Sequence, residues 1–111
     1  MRAKPGEAAQ NALEHEILGE QASTIGRLSH ELGAALEALR AFDEKVSSGR
    51  ISEERRERQR PRLVDAAAYA LWNFVVQRDC AGFRFTERAL QQFTIPKEVR
   101  VKMGTVRPRQ N

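Results

Sequence analysis

The regular spacing of apolar residues between Leu13 and Val46 most constrains the fold of this chain. Successive apolar positions are separated alternately by three and four residues, which places them along one side of a helix, as in a coiled coil. We therefore predict one long helix over about residues 11–47. It would start near Glu7 or at an Asn11 capping box and end at Ser47-Ser48-Gly49. The seam residues are Ile25, Leu28, Leu32, Ala35, Leu39, Phe42 and Val46.

A second pattern of small residues runs along the same predicted helix. Three glycines recur every seven residues, and at 100° per residue the small positions lie roughly 100° from the seam. Because each helical glycine costs about 1 kcal/mol relative to alanine, the pattern indicates close approach of another helix. Ala66-Ala67-Ala68 is one candidate to pack there, and a second subunit is another. We call these residues the glycine strip and predict that they form an interface: Gly19, Ala22, Gly26, Ser29 and Gly33.

The rest of the chain predicts a second long helix and two short ones. Ser52 is a good N-cap for a helix over about residues 53–81, kinked or broken near Pro61, with Gly82 ending it. Its inner residues would include Leu63, Ala67, Ala70 and Phe74. Thr86 is expected to cap a helix over 87–93, and Pro96 to open a last helix that ends at Gly104. The fold class is therefore all-α: a long helical hairpin plus two short C-terminal helices, completed by dimerisation.

Length and composition bound the kind of protein. The 111 residues predict a single domain over 1–111, with flexible tails at 1–6 and 105–111. Residues 1–49 contain 5 Lys or Arg and 8 Asp or Glu, a net charge of −3, whereas residues 50–111 contain 14 and 7, a net charge of +7. The single cysteine excludes an internal disulfide and is typical of a reducing cytosol. With no long apolar run and no hydrophobic signal core, we expect a cytoplasmic protein of bacterial type without membrane association.

Two sequence blocks carry a resemblance to a known family. The blocks are LEHEILGEQASTIGR at 13–27 and LWNFVVQRDCAGFR at 71–84, the second followed by IPKEVRVKMG at 95–104. The chain resembles a small uncharacterised bacterial family, one of the domains of unknown function. The resemblance supports the helix boundaries across most of the chain and implies no activity, substrate or partner.

No residue set predicts an enzyme, a metal site or a cofactor site. Glu14, His15, Glu16 and Glu20 are close in sequence, but there is no Glu-x-x-His pair of the kind that helical carboxylate sites use. We expect a solvated acidic surface there. Cys80 has no nearby histidine and is followed after Ala81 by a predicted helix end, so we expect a small buried side chain rather than a reactive thiolate.

Polar residues near the end of the second helix allow three interpretations. Trp72, Gln77 and Arg78 could form a polar lock that fixes helix register, since arginine pairs bidentately with carboxylates and glutamine bonds across interfaces. They could instead line a ligand pocket, or simply pack with their polar tips in water.

An arginine-rich segment raises the possibility of nucleic-acid binding. Such charge binds phosphates without sequence specificity, although Glu53, Glu54 and Glu57 dilute it. The two short helices also have the outline of a helix-turn-helix, with Lys97, Arg100 and Lys102 available to phosphates. The segment has five arginines in eight residues, and two more lie in the tail: Arg55, Arg56, Arg58, Arg60 and Arg62, then Arg107 and Arg109.

The function expected from the sequence is therefore non-enzymatic. We predict a self-associating protein–protein interaction module, most simply a homodimer, whose biological process the sequence does not indicate. The alternative is a small nucleic-acid-binding regulator that uses residues 55–62 and the C-terminal helix pair.

Overall fold

The computed structural model describes residues 5–105, with side chains described from residue 11 onward. Its elements are four helices, and the described residues contain no strand, which confirms the all-α prediction. None of these helices is long and apolar enough to cross a membrane. The expected tails fall mostly outside the description, at 1–4 and 106–111, together with Arg107 and Arg109. The helices are α1 (Pro5–Ser47), α2 (Glu53–Cys80), α3 (Thr86–Leu90) and α4 (Lys97–Met103).

Helix α1 begins two residues before Glu7, the earlier of its two predicted starts, and ends where predicted. It starts at Pro5, so Asn11 lies inside the helix and is not its cap, and Pro5 and Gly6 are not part of a lead-in. Proline is favoured in the first turn because its missing N–H is not needed there. At the other end the N–H of Gly49 donates to the carbonyl of Val46 at 3.1 Å, and that of Arg50 to Lys45 at 2.9 Å. This is a Schellman motif, in which Gly49 takes a positive φ of 76°.

Helix α2 is one continuous helix of 28 residues. The Ser52 Oγ accepts the N–H of Arg55 at 3.2 Å, which confirms the predicted N-cap. The helix passes through Pro61 without interruption, so a break there is excluded. Pro61 is exposed, and its ring leaves one carbonyl of the preceding turn without a helical donor. Gly82, with φ of 79°, ends the helix through a second Schellman motif.

The core lies between α1 and α2 and is closed by one residue from each short helix. Leu28, Leu32, Leu39 and Phe42 of the α1 seam are buried as predicted. On α2 the predicted inner residues Ala67 and Phe74 are also buried, but two other positions differ from the prediction. Val64 and Ala68 are buried, whereas Leu63 and Ala70 are only half-buried. Leu90 of α3 and Val99 of α4 complete the cluster. The core cluster is Leu28, Leu32, Leu36, Leu39, Val64, Ala67, Ala68, Leu71, Phe74, Leu90 and Val99.

The short helices are shorter than predicted and are started differently. Helix α3 ends at Leu90, and its N-cap is Phe85 rather than Thr86, with no side-chain capping bond. Pro96 is the N-cap of α4 rather than its first helical residue, and Gly104 ends that helix as expected. Thr105 belongs to this helix end rather than to a tail, because its N–H and its hydroxyl both donate to the carbonyl of Lys102. Both short helices pack against α2.

The two long helices differ in length, and this sets the shape of the molecule. Helix α1 has 43 residues and α2 has 28, so about 22 Å of α1 extends past the end of α2 at 1.5 Å per residue. The molecule measures 70 × 32 × 19 Å along its principal axes. The start of α1 therefore has no antiparallel partner in the described chain.

Candidate functional site

The part of α1 without a partner carries three large apolar side chains that are exposed. We call residues 11–20 the projecting segment, and every side chain in it is exposed. Leu13, Ile17 and Leu18 keep 56%, 47% and 57% of their surface accessible. Large apolar side chains gathered on an exposed helix are typical of a surface that binds another protein. The sequence carried this signal, because apolar positions continue before Ile25 and the predicted second helix over 53–81 is too short to cover them.

The glycine strip lies partly beside the projecting segment and is mostly open. A Cβ added to Gly19 or Gly26 would meet no atom within 4 Å, and Ala22 is exposed. Only the far end of the strip is covered, where a Cβ on Gly33 would lie 3.7 Å from the Phe93 ring. The alternative that Ala66-Ala67-Ala68 packs on the strip is wrong. Ala67 and Ala68 are fully buried in the core and Ala66 is exposed.

Arg60 differs from the other arginines of the arginine-rich segment because its side chain bonds to two other helices. Its guanidinium bonds Asp43 of α1 through Nε and Nη2, at 2.8 and 3.1 Å. It also bonds Glu98 of α4 through Nη1, at 2.8 Å, and through Nη2. Its side chain is only 19% exposed. Arg60 of α2 is thus bonded to both α1 and α4. Because its guanidinium is already paired with two carboxylates, it is not available to bind phosphates.

Hydrogen bonding in this three-helix clamp shifts the pKa values of two of its members. The bonds from Arg60 hold the pKa of the Glu98 carboxyl below its ordinary value, against a smaller opposing effect of burial. The bonds to Glu98 and then to Asp43 raise the pKa of Arg60 further above its already high value. Both shifts favour the charged forms of Arg60 and Glu98, and the clamp is an ion-paired bridge rather than a proton-transfer site.

Of the other four arginines of the segment, two are bonded to neighbouring side chains and two are exposed without an ion pair. Arg56 forms an ion pair with Glu53 at 3.4 Å, and Arg55 donates to Gln59 at 3.1 Å. Arg58 and Arg62 are exposed and form no ion pair within residues 11–105. In the C-terminal helices, Arg100 pairs with Glu87 at 3.1 Å and Lys102 with Asp65 at 3.6 Å, while Lys97 is exposed.

The two short helices do not form the expected helix-turn-helix outline. Helix α3 has five residues, and α3 and α4 each pack against α2 rather than against each other. A recognition helix is normally held by packing on the helix before it. The only described link between them is the exposed ion pair of Arg100 with Glu87.

Of the three residues predicted as a polar lock, Arg78 alone makes side-chain hydrogen bonds within residues 11–105. Its Nη2 donates to the carbonyl of Arg84 at 3.0 Å and its Nε to Thr86 Oγ1 at 3.5 Å. Trp72 and Gln77 are half-buried, and their side chains make no hydrogen bond within residues 11–105. Arg78 therefore fastens the turn that follows α2, and the three residues do not form one cluster across the helix interface.

Shallow grooves flank α4, and one of about 680 Å³ is lined by Val64, Lys97 and Val101 among others. A shallow groove of about 460 Å³ lies between α2 and α4, lined by Arg60, Val64, Asp65 and Lys102 among others. Its charged groups are engaged in the ion pairs described above, except Glu57, which forms none among the described residues. Among the described side chains, none has a buried nitrogen or oxygen atom without a hydrogen-bond partner. Such a groove lacks the convergent polar groups that usually orient a small ligand.

Histidine, cysteine and carboxylate side chains are dispersed over the surface. In the part of the chain that the structure describes, no three of them are placed to hold a metal ion. His15 and His30 are exposed. The prediction that Cys80 is buried is wrong, because its thiol lies exposed in the last turn of α2.

A comparison with protein families shows which family the chain belongs to. One family model matches residues 1–111, which is the whole sequence. The chain belongs to the DUF6665 family, a family of unknown function. The resemblance inferred from residues 13–27, 71–84 and 95–104 is thereby confirmed as one to a domain of unknown function. Comparison of this DUF6665 chain with curated proteins and with solved structures finds no match to either.

Sequence reasoning missed a second exposed apolar feature of this DUF6665 chain, the turn between α2 and α3. Phe83 and Phe85 are 42% and 71% exposed, although both follow a helix end where aromatic residues often return to the core. The arginine guanidinium groups of Arg78 and Arg88 lie 5.4 and 5.3 Å from their ring centroids. Alternating Phe and Arg in Phe83-Arg84-Phe85 was a signal available in the sequence.

Proposed function

We propose that this chain is a non-enzymatic, self-associating protein–protein interaction module that works as a homodimer in the cytoplasm. The observation that carries the proposal is the exposure of Leu13, Ile17 and Leu18 on a helical segment that no described element covers. The single cysteine supports the cytoplasmic location, because it allows no internal disulfide. We assign the chain no catalytic residue, metal or cofactor.

The direction in which the exposed residues point supports a helix as the partner. At 100° per residue, Ile17 falls within about 20° of Leu28, and Leu18 shares its angle with Leu36. Leu28 and Leu36 are both buried against the hairpin. The projecting segment therefore continues the surface that α2 covers further along α1. A helix that takes the place of α2 beyond Cys80 is the natural occupant.

A second copy of the chain supplies such a helix. In an antiparallel pair of α1 helices, each projecting segment covers that of the other, and two-fold symmetry makes the contact self-complementary. The projecting segment contains Glu14, Glu16 and Glu20 and no lysine or arginine, whereas residues 50–111 carry a net charge of +7. An antiparallel arrangement brings the acidic start of one α1 toward the basic half of its partner.

The apolar residues of the projecting segment contribute only part of the association energy. Completing the burial of a half-exposed leucine or isoleucine yields about 1 kcal/mol, so six such residues in a dimer give about 6 kcal/mol. Association costs at least about 4 kcal/mol in lost translational and rotational freedom. A stable dimer therefore needs further contacts. We propose that the glycine strip (Gly19, Ala22, Gly26, Ser29 and Gly33) supplies some of them by allowing close helix approach.

The experiment that tests the proposal is solution mass by light scattering at low and at physiological salt. We expect the wild type at twice 12.6 kDa, and Ile17→Asn at the monomer mass. Val101→Asn is the matched control, because Val101 is also an exposed apolar side chain on a helix but lies on α4. A wild type that is monomeric at both salt concentrations, or an Ile17→Asn variant that keeps the dimer mass, would overturn the proposal.

The glycine strip is tested separately. Gly26→Leu meets no atom within 4 Å at the Cβ position within its own protomer, so a clash would arise only between protomers. We expect this variant to be folded and monomeric. If it keeps the dimer mass, the strip is not a contact, and self-association depends on the apolar residues alone.

The second candidate function is nonspecific nucleic-acid binding, favoured by one feature of α2. Arg55, Arg58 and Arg62 have the spacing i, i+3, i+7 that lies along one face of a helix, and all three are exposed. Retention on heparin or on a DNA duplex should then fall with salt, and fall further in Arg58→Glu with Arg62→Glu. Absence of retention at low salt would remove this candidate.

A further inference from the structure

The turn between α2 and α3 holds two phenylalanine rings at the surface. Phe85 has a left-handed backbone, with φ of 61° and ψ of 41°, and its ring is 71% exposed. Backbone strain of this kind in a non-glycine residue persists only where its surroundings hold it, and it is often found at binding sites. We call Phe83, Arg84, Phe85 and Arg88 the turn ridge.

The turn ridge is held in place rather than left loose. Arg78 donates to the carbonyl of Arg84 at 3.0 Å, and the Phe83 N–H donates to the carbonyl of Arg78 at 3.0 Å. The Thr86 hydroxyl donates to Asp79 at 3.4 Å. Both rings carry an arginine guanidinium over one face. A surface ordered before binding loses less entropy when a partner arrives.

The charges of the turn ridge complement those of the projecting segment. Arg84 and Arg88 are exposed and form no ion pair in the part of the chain that the structure describes, since Glu87 pairs with Arg100. The projecting segment carries three glutamates and no basic residue. The segment also has exposed apolar side chains that can pack on the two phenylalanine rings. The two surfaces are therefore complementary in both charge and apolar character.

The position of the turn ridge fits the same partner. Helices α1 and α2 are joined by a short turn after Ser47, so the end of α2 at Cys80 lies beside about residue 20 of α1 at 1.5 Å per residue. The turn ridge therefore lies at the base of the projecting segment. In an antiparallel pair of projecting segments, the start of the partner's α1 reaches this level.

We infer that the turn ridge is the docking site for the acidic projecting segment of a second copy of this chain. The inference rests on the proposed self-association and specifies which surface receives the segment. Each dimer would contain two such contacts, related by the two-fold axis. The rings would pack on apolar side chains of the partner's segment, and Arg84 and Arg88 would pair with its glutamates.

Phe85→Gly is the sharpest single test, because glycine adopts the left-handed conformation without strain. The variant removes the ring and keeps the backbone of the turn. We expect unchanged helix content and a dimer dissociation constant at least tenfold higher by sedimentation equilibrium. Val101→Ala, which shortens an exposed apolar side chain on α4, is the control and should leave the constant unchanged.

A charge exchange identifies the occupant. Arg84→Glu with Arg88→Glu in one sample, and Glu14→Lys with Glu16→Lys in another, should each weaken self-association tenfold or more, because Glu14 and Glu16 are the glutamates of the projecting segment that lie nearest the partner's turn ridge in the antiparallel pair. Mixing the two should restore a heterodimer of wild-type mass. A wild-type dimer that Phe85→Gly leaves intact, with no recovery on mixing, would overturn this inference and leave the proposed self-association standing. A monomeric wild type would overturn both.

Discussion

Replacing Arg60 by methionine should destabilise the fold more than any other change to the arginine-rich segment. Methionine keeps most of the apolar stem and removes all four hydrogen bonds to Asp43 and Glu98. Hydrogen bonds to charged groups contribute about 1.5–3 kcal/mol each when buried, whereas exposed ion pairs contribute below about 1 kcal/mol. The Arg60 side chain is 19% exposed, but the side chains of Asp43 and Glu98 are 42% and 47% exposed. Water can therefore replace part of what is lost, and we expect a net loss of about 2 kcal/mol.

The assay is urea unfolding followed by far-ultraviolet circular dichroism at one fixed protein concentration, since association would add to the apparent stability. Arg58→Met is the matched control, because Arg58 lies in the same helix and is exposed. Arg60→Lys should fall between the two, because an ammonium group cannot bridge two carboxylates bidentately. Surface substitutions usually change the free energy of unfolding by less than about 0.5 kcal/mol. If the free energies of unfolding of Arg60→Met and Arg58→Met differ by no more than this, the clamp is not a source of stability.

Three further outcomes follow from the structure. Leu32→Ala, at a fully buried core position, should lower the free energy of unfolding by about 2–5 kcal/mol in the same urea assay. Gly82→Ala, at a φ of 79°, should lower it by about 1–2 kcal/mol, and a thermal melt that does not move would contradict the need for glycine. Because the folded pKa of Glu98 is lowered by Arg60, its stabilisation is present above the unfolded pKa and is lost as the pH falls through the folded value. Unfolding measured between pH 7 and pH 3 should show this acid-dependent loss in the wild type, and a smaller one in Arg60→Met.

Local patterns in the sequence were sufficient for most of the architecture. The alternating spacing of three and four residues identified α1 and the face that it buries. Ser52 and the glycines at 49 and 82 marked helix ends by chemistry that acts within a few residues. The start of α1 was less well defined, because the sequence offered two start signals. The one near Glu7 lies two residues from the observed start at Pro5, whereas the Asn11 capping signal lies inside the helix.

The parts that sequence reasoning missed depend on contacts between distant residues. The partners of Arg60 lie 17 and 38 residues away along the chain, and nothing distinguishes Arg60 from its arginine neighbours except its angle on α2. Phe85 could not be recognised as an N-cap, since bulky residues are disfavoured at positive φ. The exposure of Leu13 and Ile17 is a different case, because the predicted helix over 53–81 was already too short to cover the start of α1, and sequence reasoning did not use that difference.

The unequal lengths of α1 and α2 imply a gradient of local stability along a single helix. An isolated helix of about 15 residues is marginal in water, so backbone amides in the projecting segment should exchange their hydrogens quickly in a single protomer. Amides near Leu32 and Leu39, which are buried in the core, should exchange only through global unfolding. One helix would thus contain both the most and the least protected hydrogen bonds of the molecule. A partner that covers the projecting segment would slow its exchange, and hydrogen exchange along α1 would map where that partner binds.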